Sequence, residues 1–447
     1  MNDANHILSR LGDLIGKAKA AGADAADAVF AEVVSLSVGH RLGERENLVR
    51  AEGADLGLRV FIGARQAVVS SSDFSDAALD ELVARAVAMA RVVPEDRFCG
   101  LADPDQVATE FPDTEGCDDH EPDAEALGDM AKRAEDAARG VQGIANSEGA
   151  EAGWSLSTMA IVGSNGFAQS RSNSRHSLAV SVIAGNNAGM ERDYDFASTV
   201  FADDLPAPEE IGRTAGEKTV RRLNPKKAKS ARVPVVYDPR VGNSLLGHLA
   251  SAINGDAVAR GTTFLKDKMG KKIFADAVTV VDDPLRRRGL RSRNFDGEGI
   301  PTARRNIVER GRLESWILDL RSARQLKMPT TGHASRGTTS PPSPSASNLY
   351  LEAGTVTPKK LMADIESGLY VTELMGFGIN SVTGDYSRGA SGFWIEYGEI
   401  AYPVNEVTIA GNLMDMFAHV TAADDLEFRY GTNAPTLRVD GMTVAGR

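Results

Sequence analysis

The residues best suited to chemistry lie in one stretch, Asp238–Leu265, which reads DPRVGNSLLGHLASAINGDAVARGTTFL. Apolar residues recur there with helical periodicity. That apolar stripe consists of Leu245, Leu249, Ala252 and Ile253. The opposite face is small or polar and consists of Ser244, His248, Ser251 and Gly255. The pattern predicts a helix with one side on the core and an imidazole on the side that faces a polar group.

The common signatures of catalytic sites do not occur elsewhere in the sequence. None of the seven histidines belongs to an HExxH pattern, and no P-loop, GxSxG elbow or correctly placed GxGxxG is present. A Ser/His/Asp triad stays open, since its members are distant in sequence. Cys99 and Cys117 are too few for a disulfide framework and predict free thiols in a reducing compartment. Residue chemistry alone therefore does not identify an enzyme.

Composition and charge narrow the class of protein. The chain has 447 residues, 42% of them hydrophobic and 25% charged, and a formal net charge of −12. The acidic balance argues against sequence-independent nucleic-acid binding, which depends on neutralising phosphates. Nine arginines between Arg286 and Arg312 are an exception. We interpret them as a solvated or salt-bridged face, with docking of an acidic partner as the alternative and duplex binding as a lesser one.

The length of the apolar runs and the N-terminal sequence predict where the protein resides. No window approaches the apolar length of a membrane span. The sequence MNDANHILSRLGD has no basic region followed by an apolar one, which is the pattern of a secretory signal. We therefore expect a cytoplasmic protein with no membrane contact.

The elements of the first half follow one order twice. Residues 1–93 predict an α/β unit of helix, three strands and helix, and residues 94–122 predict an acidic linker. Residues 123–230 predict a second α/β unit with the same order. We interpret this as an internal duplication.

The second half, residues 231–447, predicts a β-rich domain with a central helix at 241–254. Tyr397-Gly398 predicts a hairpin turn, and Asp440-Gly441 predicts another near the end of the sequence. Gly332–Asn348 is too rich in Gly, Ser and Pro for regular structure, and predicts either a flexible linker or an ordered loop near a site. The predicted fold class is α+β, with a duplicated α-β-β-β-α region followed by a strongly bent or barrel-like sheet.

Three segments resemble the TldD/PmbA family. Thr383–Phe417, TGDYSRGASGFWIEYGEIAYPVNEVTIAGNLMDMF, resembles the family's C-terminal signature. Pro301–Leu326 is similar to its middle segment, and Gly53–Ser75 to its N-terminal segment. These proteins were described as modulators of DNA gyrase and as a metalloprotease pair. The resemblance covers essentially the whole chain and implies an α+β front region and a β-rich back domain.

The resemblance also separates the two types of subunit. TldD-type subunits carry HExxxH on the central helix, whereas the corresponding residues here are Asn243 to His248, NSLLGH. Asn243 stands at the first histidine and Ser244 at the glutamate, so only His248 remains of the motif. A zinc site needs three or four ligands, and the second half contains no cysteine. The chain therefore resembles the PmbA (TldE) subunit, with a degenerate motif, no catalytic residue and no metal ligand set.

The resemblance implies a role and a partner. We expect a non-catalytic subunit that forms a heterodimer with a TldD-like subunit, which supplies zinc and base, while this chain supplies cavity and substrate-holding surface. The implied substrates are peptides and unfolded segments. Backbone at Gly332–Gly337 and Gly384–Gly392 is hypothesised to hold an extended peptide by strand addition. The candidate substrate-binding residues are His248, Gly384, Arg388, Gly389 and Gly392.

Other readings of the sequence stay open. A self-sufficient metallopeptidase with an irregular site around His248 would bind metal in the lone chain. A protein that modulates gyrase or DNA would show salt-dependent duplex affinity. A homodimer, with a solely structural role or formed when the partner is missing, is also compatible with the sequence.

Overall fold

The computed structural model describes residues 4–186 and 189–446, and it confirms the predicted α+β class. The first half contains helix, three strands and helix, twice in succession. The first set comprises α1 (Ala4–Ala20), β1 (Ala25–Arg41), β2 (Glu44–Ile62), β3 (Arg65–Ser71) and α2 (Asp76–Val92). The second set comprises α3 (Ala124–Arg139), β4 (Ile144–Gly163), β5 (Ala168–Ala184), β6 (Glu191–Thr199) and α4 (Pro208–Arg221).

The six strands of the first half form one antiparallel sheet. Its order is β3-β2-β1-β4-β5-β6. The first strand of each set, β1 and β4, pair with each other at the centre, from Asp27 opposite Gly163 to His40 opposite Ala150. The two sets therefore share one continuous sheet.

The four helices cover one face of this sheet. Ser75 precedes α2 and Asp123 precedes α3, and each side chain accepts a hydrogen bond from a backbone N–H in the first helical turn. The strands alternate, so every second side chain points at the helices. Phe30 packs with α1 and α2, and Val38 packs with α3 and α4.

The other face of the sheet meets the second half of the chain. Val29 and Ile161 pack against Phe167 and Phe295. Beside them, Asp27 is buried and accepts hydrogen bonds from Arg59 of 3.1 and 2.5 Å. Nη1 of Arg336 lies 2.7 Å from the same carboxylate. Burial alone would raise the pKa of Asp27, but the two guanidinium groups outweigh it and hold the pKa below its ordinary value.

The second half is strand-rich, as predicted. Its elements up to residue 351 are β7 (Ala231–Tyr237), α5 (Pro239–Ala252), α6 (Gly255–Arg260), β8 (Val280–Asp282), β9 (Arg305–Glu309), β10 (Arg312–Leu313), α7 (Leu320–Leu326), β11 (Ala334–Ser335), β12 (Ser343–Pro344) and β13 (Leu349–Leu351). They are followed by α8 (Pro358–Met362), β14 (Ser367–Ile379), β15 (Asp385–Glu396), β16 (Glu399–Asn412), α9 (Leu413–Ala418), β17 (Val420–Ala422), β18 (Thr432–Asn433) and β19 (Leu437–Ala445).

Five of these strands close into a barrel. The order runs β16-β15-β14-β7-β19, and β19 pairs again with β16 through Thr408 to Ala410. Closure removes exposed sheet edges where the pairing is continuous. Helix α5 packs its apolar stripe against barrel side chains such as Tyr237 and Leu369, which are fully buried. A smaller sheet of order β10-β9-β8-β13-β18 contributes residues to the same hydrophobic core as the barrel.

Local turn signals predicted one hairpin correctly and one wrongly. Tyr397 and Gly398 both have positive φ and join β15 to β16, as predicted. The predicted hairpin at Asp440-Gly441 is wrong, since β19 continues through both residues. Its pairing with β7 shifts register between Val439 and Met442, so the two residues form a bulge. Gly441 has φ +76°, a conformation that a bulge and a tight turn both require.

The Gly/Ser/Pro-rich segment Gly332–Asn348 is an ordered loop. Its strands β11 and β12 pair with each other, and His333 and Arg336 are buried. A Cβ on Gly57 of β2 would overlap the backbone of Thr338, so the loop lies directly on the first sheet. Within the described residues, none of the helices is both long enough and apolar enough to cross a membrane.

Candidate functional site

Helix α5 is the element that positions the degenerate motif. Asp238 accepts a hydrogen bond from the backbone N–H of Arg240, and Pro239 occupies the first helical position. The predicted stripe of Leu245, Leu249 and Ala252 is buried. The opposite face therefore carries Ser244 and His248, as the periodicity predicted, together with Asn243.

His248 is half-buried and lies against an aromatic ring. Its imidazole makes an edge contact with Tyr386 of β15, with ring centroids 5.9 Å apart. Its Nε2 is buried without a hydrogen-bond partner among the described residues. Burial, and then the positive charge of Arg388, lower the pKa of His248 to about 4. The imidazole is thus neutral near pH 7, a form that can accept a proton or a cation only at Nδ1 or Nε2.

The first turns of α5 line a cleft between the two halves of the molecule. The cleft has a volume of about 250 Å³. Asn243 and Ser244 form one wall, and Thr372 and Glu373 of β14 with Arg388 of β15 form another. Strand β6 of the first sheet contributes Arg192, Asp193 and Tyr194. The structure therefore brings three predicted residues together, Asn243, Ser244 and Arg388, with His248 one turn further along the helix.

Two ion pairs join the halves along this cleft. Arg240 of α5 donates two hydrogen bonds, of 2.7 and 3.1 Å, to Asp193 of β6. Arg222, just after α4, donates one of 2.7 Å to Glu373. Burial alone would raise the pKa of Asp193, but the hydrogen bonds from Arg240 outweigh it and hold the pKa below its ordinary value. Each carboxylate of the cleft wall is therefore paired with an arginine.

Arg388 differs from these two arginines because it forms no ion pair within the described residues. Its Nε donates a hydrogen bond of 3.3 Å to the carbonyl oxygen of Met375. After burial, its positive charge is the second cause of the lowered pKa of His248. The guanidinium thus gives the cleft a positive charge that no carboxylate of the described chain balances.

The three predicted glycines lie outside the walls of the cleft. Gly384 has φ +81° in the turn before β15, where only a residue without Cβ is unstrained. Gly389 lies on β15 against Met375, and a Cβ on Gly392 would overlap the carbonyl oxygen of Tyr370. Close packing of β15 on β14 therefore accounts for Gly389 and Gly392. Their role in holding substrate stays a prediction.

Strand β14 has a free edge beside the cleft. It pairs with β7 only from Leu369 to Val371, whereas its pairing with β15 continues to Ile379. From Thr372 onward, the described residues pair with β14 on one side alone. Phe377 near its end is 97% exposed. An unpaired edge is a template for another extended chain.

Several residues of the site could not be recognised in the sequence. Asp193, Arg222 and Thr372 join the cleft from three distant segments. A second cleft of about 250 Å³ shares Tyr194 and Arg240 with the first and includes Tyr370 and Tyr430. The only sequence signal for any of these is the alternation of β6, which places Asp193 on the buried side and Tyr194 on the other.

The donor set of this site does not fit a zinc ion. The polar face of α5 offers one good zinc ligand, His248. Asn243 and Ser244 are poor zinc ligands compared with imidazole, thiolate or carboxylate. Across residues 4–186 and 189–446, no group of three or more His, Cys, Asp or Glu side chains is arranged to hold a metal ion. The guanidinium of Arg388 would also repel a cation close to His248.

Family models match most of the chain. The first domain of the PmbA/TldA metallopeptidases matches residues 26–90, the central domain matches 117–223, and the C-terminal domain matches 230–446. The metalloprotease PmbA of Escherichia coli is 37% identical over 426 residues, which are 95% of this chain and 93% of that protein. A PmbA homologue from Haemophilus influenzae is 38% identical over 431 residues, with the same shares.

Solved structures share the fold over nearly the full length. A candidate modulator of DNA gyrase from Bacteroides thetaiotaomicron superimposes with a TM-score of 0.90 at 27% identity, and 98% of each chain is covered. The TldE protein of Thermococcus kodakarensis gives a TM-score of 0.88 at 20% identity, over 98% of this chain and 100% of that one. At that identity, the second likeness concerns the fold alone.

Proposed function

This chain belongs to the PmbA/TldD metallopeptidase family, and from that premise we propose that it is the non-catalytic subunit of a two-subunit zinc peptidase. The partner is a TldD-like chain that supplies zinc and the general base. The complex acts in the cytoplasm on peptides and unfolded segments. This chain contributes part of the cavity and a surface that holds the substrate.

The observation that carries this proposal is the donor set of α5. His248 is the one side chain on the polar face of a type that commonly binds zinc, and Asn243 and Ser244 line the cleft without a charge. A zinc peptidase needs three protein ligands and a base that activates water. Both requirements are then left to the partner.

The substrate-holding role is supported by the free edge of β14. An extended peptide can add to an unpaired strand through backbone hydrogen bonds, which makes recognition independent of most side chains. The edge from Thr372 to Ile379 borders the cleft that Asn243 and Ser244 line. A peptide held there would pass the cleft that the polar residues of α5 line.

Proline substitutions on β14 test this role. Neighbouring residues of a strand point their N–H groups in opposite directions, so one of Leu374→Pro and Met375→Pro removes a donor at the free edge. The other removes a donor used by β15. We expect one variant to lose peptide processing with near-normal thermal stability, and the other to be destabilised. Full processing by both variants would contradict strand addition.

A reconstitution assay tests the division of labour. The chain and a TldD-like chain that carries HExxxH are purified separately, and cleavage of an unfolded peptide is measured for each and for the mixture. We expect cleavage only in the mixture, and cleavage that still occurs and is still sensitive to chelator when the chain carries His248→Ala. Chelator-sensitive cleavage by the lone chain that disappears in His248→Ala would establish a self-sufficient peptidase instead.

The gyrase or DNA reading has less support from the arginine-rich segment. Arg288 pairs with Glu115 and with Asp204, and Arg287 pairs with Glu115. Arg286 stacks on the ring of Phe428, and the half-buried Arg293 donates a hydrogen bond of 2.8 Å to the carbonyl oxygen of Ser345. These guanidinium groups are largely engaged within the chain, which agrees with the salt-bridged face that the sequence predicted.

A further inference from the structure

The cleft at the first turns of α5 has an excess of positive charge. Four arginines line it, of which Arg222 and Arg240 are paired with the two carboxylates of the wall. Arg192 extends to Glu148 at the surface. Arg388 alone has no carboxylate partner among the described residues. A guanidinium has five N–H donors in a planar fork, and the structure uses one of them, on the carbonyl oxygen of Met375.

A second polar group in the same cleft lacks a partner. Thr372 of β14 is only 7% exposed, and its hydroxyl makes no hydrogen bond within the described chain. Buried hydroxyl groups are nearly always satisfied in folded proteins. Because Thr372 and Arg388 line one cleft, a ligand bound there lies next to both side chains. Nε of Arg240 is likewise buried without a partner.

These donors favour one ligand chemistry. A guanidinium fork binds the two oxygens of a carboxylate in parallel, and a hydroxyl can donate to the same group. The carboxylates of Asp193 and Glu373 are each held by an arginine, so their repulsion of an incoming anion is reduced. Asn243 and Ser244 add no negative charge, and the hydroxyl of Ser244 donates to the carbonyl oxygen of Val241.

We infer that this cleft binds a carboxylate group of a peptide through Arg388 and Thr372. The inference rests on the proposed function for the class of ligand, a peptide, and on the charges and free donors for the group that is recognised. It also gives a reason for the degenerate motif. A glutamate at position 244, the position that resembles the glutamate of HExxxH, would place an intramolecular carboxylate in the cleft and compete for Arg388.

Three matched peptides distinguish the two sources of the carboxylate. The peptides are identical except at one internal position and at the C-terminus. The first has an internal glutamine and a free C-terminal carboxylate. The second has an internal glutamate and a C-terminal amide, and the third has an internal glutamine and a C-terminal amide. Binding to the full chain alone is measured by calorimetry at low salt. We expect at least a tenfold tighter dissociation constant for the first or second peptide than for the third.

Variants of the chain connect the effect to the cleft. Arg388→Gln should weaken binding of the preferred carboxylate peptide until its affinity equals that of the third peptide. Ser244→Glu should have the same effect. Thr372→Val should weaken the carboxylate peptide more than the amide peptide. Arg213→Gln removes an exposed arginine on α4 away from the cleft and should leave the preference intact. Circular dichroism and thermal unfolding establish that each variant is folded.

The outcome separates this inference from the proposed function. Equal affinities for the three peptides, binding of none of them, or a preference that survives in folded Arg388→Gln would overturn carboxylate recognition. Reconstituted processing would still stand in each of those cases. Conversely, a preference that depends on Arg388, together with processing that does not require this chain, would retain the carboxylate site and overturn the subunit role.

Discussion

Arg240 and Asp193 join the central helix of the second half to the last strand of the first sheet through two hydrogen bonds of 2.7 and 3.1 Å. Their side chains are only 10% and 3% exposed. Because water is largely excluded from the pair, each charge is stabilised mainly by its partner. It also fixes the wall of the cleft, since both residues line it.

Removing one member of this pair should destabilise the protein strongly. In Arg240→Ala, Asp193 keeps the more distant Arg222, at 3.5 Å, and the backbone N–H of Tyr194, at 2.8 Å. We expect a loss of about 3 kcal/mol in the free energy of unfolding, because a buried carboxylate loses its closest ion-pair partner. Urea unfolding measures this change. Arg192→Ala is the control, since its pair with Glu148 is exposed and should contribute below about 1 kcal/mol. Equal losses in the two variants would contradict this reading.

The buried carboxyl of Glu298 should make stability fall as pH rises. Burial, and then the neighbouring Asp296, raise the pKa of Glu298 from 4.5 to about 8. The contribution of this carboxyl to the free energy of unfolding is fully present below pH 4.5, where it is protonated in both the folded and the unfolded state. That contribution is lost between pH 4.5 and about 8, because the carboxyl releases its proton in the unfolded state first.

Glu298→Gln tests this pH dependence. A glutamine oxygen can still accept the hydrogen bond from the backbone N–H of Leu320, which is 2.8 Å long. We expect the variant to gain stability relative to the wild type when unfolding is measured at pH 8 rather than at pH 5. Glu309→Gln, on an exposed position of β9, should keep a constant difference. A constant difference in Glu298→Gln as well would disprove the raised pKa.

The purified chain should contain no stoichiometric zinc. Helix α5 supplies a single histidine, which is fewer ligands than a zinc site needs. Elemental mass spectrometry of the untagged chain, after a mild chelator wash, measures the metal content. About one tightly held zinc per chain would overturn the non-catalytic assignment, and His248→Ala would then be the first ligand variant to examine.

Two glycine substitutions should differ in sign. Gly392→Ala introduces a methyl group that overlaps the carbonyl oxygen of Tyr370, so β14 and β15 must separate. Gly247 is exposed on α5, and a Cβ there meets nothing within 4 Å. We expect Gly392→Ala to lower the melting temperature. Gly247→Ala should raise it, since alanine is favoured over glycine in a helix by up to about 1 kcal/mol. Similar melting temperatures would contradict the packing described for β15.

The sequence predicted the elements whose signals are local. The periodicity of α5 and the turn at Tyr397-Gly398 each depend on a few adjacent residues, and both are confirmed. The prediction of a hairpin turn at Asp440-Gly441 was wrong because it too used only a few adjacent residues. Its residues suit positive φ in a bulge as well as in a hairpin, and only the pairing of β19 with β7 decides between them.

The candidate site was predictable only in part, because it is assembled from distant segments. Ser244 and His248 are separated by one helical turn, so one pattern placed both. Arg388 was selected through the family resemblance, without any indication that it lacks an ion-pair partner. Thr372 carried no signal at all, since its importance comes from a missing hydrogen bond rather than from its type.

The carboxylate of Asp27 has a consequence for synthesis of the chain. Asp27 and Arg59 leave the ribosome early, whereas Arg336, which completes their buried cluster, is translated only after the first sheet and the start of the barrel. Until then, the face of the nascent sheet that receives the loop is exposed to solvent. We therefore expect the first half to remain incompletely packed until the loop with Arg336 has been translated. A truncated first half should depend on chaperones more than the whole protein does.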